Sequence, residues 1–145
     1  MILDIKKYGA DKYGALRKKC INVKPEHPSI QKLIDDMFET VKFYGGVGLA
    51  APQVDWALNM FIINTSTFQE VMINPEVSAY GNHLQVREGC ISFPNLETPT
   101  SRQSKVAVRY LDRNWIQRTR DLEGLLAIIV QHEYDHLQGK LIIDF

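Results

Sequence analysis

The sequence predicts an α+β domain. Three observations carry this: an amphipathic helix beginning near residue 30, a middle third of short β-forming segments, and an apolar helix near the end that bears His132-Glu133-Tyr134-Asp135-His136. Strands grouped ahead of a buried helix argue against alternating βαβ units.

Each element follows from a local pattern. Pro25, His27, Pro28 and Ser29 precede the first helix. Ile30, Leu33, Ile34, Met37, Phe38 and Val41 then fall on one face of a 3.6-residue repeat. Gly45-Gly46 stops it, because glycine accepts the left-handed conformation of a helix end. Residues 60–65 and 70–74 read as short buried strands. Residues 105–111 alternate and are rich in valine; Asp112-Arg113-Asn114 reads as a turn, and residues 115–119 as the returning arm of a hairpin. Around Pro94 and Pro99 the chain is expected to be irregular. The last helix is predicted over residues 122–138, with Gly139 at its end and Leu122, Leu125, Leu126, Ile128 and Ile129 as apolar positions.

Composition narrows the function classes. A length of 145 residues fits one domain. Lys+Arg and Asp+Glu both total 17, so the basic excess of a phosphate-neutralising nucleic-acid binder is missing. No apolar run is long enough to span a bilayer, and the first residues lack the pattern of a secretory signal. A cytoplasmic protein without specific nucleic-acid binding is expected. Cys20 and Cys90 do not make a disulfide framework.

The His-Glu-Tyr-Asp-His segment points to chemistry. Two histidines four residues apart on a helix lie on one face, one turn apart. Leu125 and Ile129 fall on the same side as His132, which suggests an inward-facing stripe. Two imidazoles sharing a partly dry site are costly to charge, and a shared divalent cation resolves this. Glu133 is one position round, within reach of a water at such an ion. Two ordinary surface histidines are the alternative.

A catalytic site of this kind needs a third protein ligand and one open position. The metzincin pattern asks for histidine six residues after His136, where this chain has Ile142. Upstream candidates are Cys20, His27, His83, Cys90 and ordinary carboxylates. Cys90 is favoured: it stands in Glu88-Gly89-Cys90-Ile91-Ser92, beside a glycine that allows close backbone approach. His27 and His83 are expected in loops.

Gly46-Val47-Gly48-Leu49-Ala50-Ala51-Pro52-Gln53 is a run of small residues ending in an amide. It lacks the third glycine of a dinucleotide fingerprint and the Gly-Lys-Ser/Thr of a P-loop. It suits close packing of backbone or an extended edge for a peptide. Gln53, taken alone, reads most simply as a buried structural amide.

Together, GVGLAAPQ (46–53), EGCIS (88–92) and QHEYDH (131–136) resemble the peptide deformylase family, in the family's order and spacing. The resemblance implies antiparallel β-sheets packed around a central helix carrying the His-Glu-x-x-His motif. It implies one divalent metal ion, ferrous iron by family habit with zinc, nickel or cobalt able to substitute, held by Cys90, His132 and His136. Glu133 becomes the proton carrier. Gln53 and the Ile91 N–H become donors to the reacting carbonyl. The implied substrate is an N-formyl-methionyl peptide, cleaved to formate and a free N-terminus. The methionine side chain is expected against Val47, Leu125, Ile128 and Ile129, with the peptide backbone along Gly48 and Gly89. Nascent chains are the implied partners of a monomer, and the resemblance admits transient contact with the ribosome. Ile91 stands where the family more often has Leu, and Glu97 where some members carry Arg or Tyr. Arg102 matches a family arginine and is expected to pair with Glu88. Many bacterial members continue past the position of Phe145 with another helix; here a single catalytic domain over 1–145 without that extension is expected.

Overall fold

The computed structural model describes residues 1–10 and 14–145. Helix α1 (Ile30–Phe43) buries Ile30, Leu33, Ile34, Met37 and Val41, as the periodicity predicts. It ends in paired turn bonds: the Gly46 N–H donates to Val41 O at 2.9 Å and the Gly45 N–H to Lys42 O at 3.1 Å. Gly45 sits at φ 67°, where a side chain would be strained.

Five strands follow: β1 (Gly48–Ala50), β2 (Met60–Asn64), β3 (Gln69–Cys90), β4 (Phe93–Leu111) and β5 (Gln117–Glu123). They form one antiparallel sheet in the order β1-β2-β3-β4-β5. The expectation of several sheets is corrected to one continuous sheet, whose long strands change register at Ile73/Glu76, Tyr80/His83 and Glu88/Cys90. β2 explains its own continuous apolar run. Met60 and Ile62 join the core under α1, while Phe61 and Ile63 join the core under the second helix. The sheet is covered on both faces there, so both sets of alternating side chains are apolar.

The prolines are a second correction. Pro94 and Pro99 lie inside β4, not in an irregular segment. β5 pairs with Lys105–Leu111, so among the described residues the first half of β4 has a single strand neighbour. A residue with no N–H is tolerated on such an edge. His83 likewise lies in β3 and not in a loop.

Helix α2 (Leu125–Leu137) starts three residues later than expected. Leu122 and Glu123 complete β5, and Gly124 at φ 66° turns the chain into the helix. The helix packs against all five strands. Gln131 fastens it to β4: its Oε1 accepts the Gln103 N–H at 2.9 Å and its Nε2 donates to Gln103 O at 2.8 Å. Among the described residues, no helix is long and apolar enough to cross a membrane.

Candidate metal centre

β3 and β4 form a long hairpin whose last pair is Cys90 with Phe93, leaving Ile91-Ser92 as the turn. The middle of the hairpin is exposed, but Glu88, Ser92 and Phe93 near its tip are buried. That tip meets α2. Cys90 Sγ lies 3.4 Å from His136 Nε2. Cys90, His132 and His136 each offer one donor atom within 4.8 Å of the others. The imidazole rings are 5.1 Å apart, one turn of helix. Of the upstream candidates, Cys90 alone joins the histidines in this group; Cys20 is buried in the core beneath α2.

The donor set fits a divalent ion. Bonds of about 2.3 Å to sulfur and 2.05 Å to nitrogen, at a tetrahedral angle, put the two donors about 3.6 Å apart. The observed 3.4 Å is close to that edge. Three donors also leave a fourth position free.

Around the cluster the side chains are held tightly. His132 Nδ1 shares a hydrogen with Glu88 Oε1 at 2.8 Å, which turns Nε2 toward the cluster. Glu88 in turn accepts Arg102 Nε at 2.7 Å, Arg102 Nη2 at 2.8 Å and the Thr100 hydroxyl at 2.7 Å. The expected Arg102–Glu88 pair is present. Arg102 also donates to Asp135 Oδ2 at 2.5 Å, and the Phe145 ring covers its guanidinium at 4.8 Å. Thus Glu88 and Cys90, two apart on a strand, reach His132 and His136, four apart on a helix.

Electrostatics follow from burial. Burial would raise the Glu88 carboxyl, but Arg102, His132 and Thr100 outweigh it and hold the group far below the usual range. Glu133 has no such donor; burial pushes it up to about 7. Its Oε1 and the His136 Nδ1 are buried without a hydrogen-bond partner among the described residues. Burial opposes charge on both imidazoles. Glu133, Cys90 and Glu88 reverse that for His132, which is held well above its ordinary value, whereas His136, beside His132, falls well below.

The cluster opens on a cavity of about 740 Å³. Val47, Gly48, Gln53, Gly89, Ile91, Leu125, Ile128, Ile129, His132 and Glu133 all border it. Of the inward stripe expected on α2, Ile129 is buried, but Leu125 is 64% exposed at the cavity mouth. Gln53 lies within a short helical turn (Ala51–Val54), and its Nε2 lies 3.5 Å from Cys90 Sγ. Sequence reasoning missed the Glu88–His132 bond, Asp135 and Ser92. The available signal was strand alternation, which sets Glu88 on the same side as Cys90.

The family model described as polypeptide deformylase matches residues 2–145. The peptide deformylase of Karelsulcia muelleri is 41% identical over 150 residues, covering 99% of this chain and 78% of that protein. The crystal structure of the Thermotoga maritima peptide deformylase superposes with a TM-score of 0.92 at 34% identity, over 99% of this chain and 97% of that one. A class I type b peptide deformylase from Acinetobacter baumannii with Met-Ala-Ser bound gives 0.89 at 29% identity, over 99% and 98%. Likeness of this extent, in sequence and in backbone, makes the chain a member of the polypeptide deformylase family.

Proposed function

We propose that this chain is a metal-dependent hydrolase that removes the formyl group from the N-terminal formyl-methionine of newly made polypeptides, acting as one catalytic domain. Family membership supports the reaction. The single observation that carries the site is the convergence of Cys90, His132 and His136 beside a buried, unpartnered Glu133 carboxylate oxygen. In this reading Cys90 Sγ and one nitrogen from each of His132 and His136 hold the ion, Fe(II) in the cell, with zinc, nickel or cobalt as substitutes. When bound, such an ion acidifies a water and polarises a carbonyl.

The protein's own groups do the rest. The Glu133 carboxylate takes a proton from the attacking water and passes it to the leaving amine nitrogen. The water oxygen adds to the formyl carbon, the C–N bond breaks, and formate and a free α-amine result. A carboxyl poised near neutrality suits both halves of that transfer. Gln53 Nε2 and the Ile91 N–H donate to the carbonyl oxygen as it gains charge; one such donor is typically worth about 10²–10³ in rate. Val47, Leu125, Ile128 and Ile129 take the methionine side chain. The outer edge of β1 at Gly48, with Gly89 opposite, offers backbone to an extended peptide. The likeness to a relative that holds Met-Ala-Ser supports a methionyl peptide as ligand. A monomer in the cytoplasm, meeting nascent chains at the ribosome, completes the reading.

The deciding measurement is formate release from formyl-Met-Ala by protein loaded anaerobically with Fe(II). Glu133→Ala is expected to retain metal and lose turnover, whereas Cys90→Ser, His132→Ala and His136→Ala lose metal. Full turnover by Glu133→Ala overturns the proton-transfer assignment. Full metal content in Cys90→Ser overturns the donor set.

A further inference from the structure

Ser92 lies in the turn between β3 and β4 and has no exposed surface. Its Oγ accepts from Gln53 Nε2 at 3.1 Å. At the other end of the same amide, the Ala50 N–H donates to Gln53 Oε1 at 2.9 Å. An amide nitrogen carries two protons. Ala50 determines which end of the amide is oxygen, and Ser92 takes one of the two protons. The second faces the cavity side, where Nε2 donates to Cys90 Sγ over a long 3.5 Å. Ser92 is anchored from behind, since its carbonyl accepts the Tyr8 N–H at 2.9 Å. Gln53 borders the cavity; Ser92 does not.

We infer that Ser92 is a positioning residue: by accepting one proton of the Gln53 amide it aims the other at the reacting carbonyl oxygen. This rests on the reading of Gln53 as a donor to that oxygen. Without the hydroxyl, Ala50 still holds Oε1, but the amide plane is free to swing and a buried N–H loses its acceptor. A donor that acts on developing charge affects kcat more than KM.

The test compares wild type, Ser92→Ala, Gln53→Leu and the double variant, each checked by thermal melt, with formyl-Met-Ala as substrate. Ser92→Ala is expected to lower kcat roughly tenfold, part of the 10²–10³ assigned to a full donor. KM stays within about twofold. The serine change adds nothing in the Gln53→Leu background, and Ser92→Thr, which restores the hydroxyl, recovers most of the loss. An equal loss in both backgrounds, or no loss in wild type, overturns the positioning role. If Gln53→Leu keeps full kcat, the donor reading itself fails, and the inference with it. If Gln53→Leu is impaired and Ser92→Ala is not, only the inference fails. A second readout needs no variant to fold: NMR of the Gln53 side-chain amide in metal-free wild type. One exchange-protected and one fast proton are expected; two fast protons overturn the proposal.

Discussion

The missing side chain of Gly48 is what lets the Glu133 carboxylate lie against β1. A Cβ at Gly48 would stand 2.7 Å from Glu133 Oε2 and 3.0 Å from its Cδ. Glu133 is buried on α2, so its carboxylate can make room only by shifting within the cavity it borders. Gly48→Ala is therefore expected to displace the carboxylate while sparing the strand, since no left-handed backbone is needed there. The kcat for formyl-Met-Ala should fall between about ten- and a hundredfold, part of the 10²–10⁴ that a positioned acid–base supplies. An unchanged kcat in a folded Gly48→Ala protein would remove the premise that Glu133 must sit where it does.

Arg102 is the cation between two acids. Its guanidinium meets Glu88 with two nitrogens and Asp135 with a third, and all but 3% of its side chain is buried. Arg102→Met leaves the Glu88 carboxylate buried without its countercharge, a change that typically costs about 3–5 kcal/mol. Arg102→Lys recovers little, because an ammonium cannot reproduce the fork. His132 loses a firmly held partner, so metal affinity should drop by about 10–100-fold. Urea denaturation and metal titration measure the two effects separately. Wild-type stability in Arg102→Met would contradict the buried-pair account.

How much of this was legible in the residues differs by element. α1 was readable because its face is set by local spacing alone, and its stop by Gly45. The three-donor cluster was readable because His132 and His136 need only a helix to align them, and few upstream thiols or imidazoles compete. The hairpin was not. Residues 78–85 of β3 are mostly exposed, so no apolar alternation marks them as strand, and Pro94 and Pro99 argue against β4 unless its edge position is known. Glu88 was legible as a partner of Arg102 but not of His132, because that contact joins segments 44 residues apart. Ser92 was hidden for the same reason: its partner Gln53 lies 39 residues away.

Asp112 gives the turn between β4 and β5 an acid-sensitive element. Its Oδ1 accepts the Asn114 N–H at 2.8 Å and the Ile116 N–H at 3.1 Å, and its Oδ2 accepts Arg118 Nε at 2.7 Å. Burial would raise this carboxyl; Arg118 and the two amides outweigh it and hold it below the ordinary 3.8. With the folded value depressed, the unfolded chain takes up protons first as pH falls. The contribution is complete above 3.8 and is lost as pH drops through the folded value. The urea midpoint of Asp112→Asn should lie below wild type at neutral pH, and the gap should close in acid. A gap that stays constant down to about pH 2 would show that the carboxylate charge does not stabilise the turn.

The two cysteines should report on the metal site by their reactivity. Cys20 is 6% exposed, and burial pushes its thiol up to about 11, so near neutral pH it is both shielded and protonated. Cys90 borders the cavity and is only partly buried. Iodoacetamide applied to the folded, metal-free protein should therefore alkylate Cys90 and spare Cys20 until denaturant is added. Prior loading with Fe(II) or zinc should protect Cys90, because a sulfur engaged with a cation is a poor nucleophile and the cation obstructs its approach. Peptide mass spectrometry after a short pulse reads both sites in one sample. Equal alkylation of Cys90 with and without the ion would mean that its sulfur does not hold the metal, and the three-donor site would have to be abandoned.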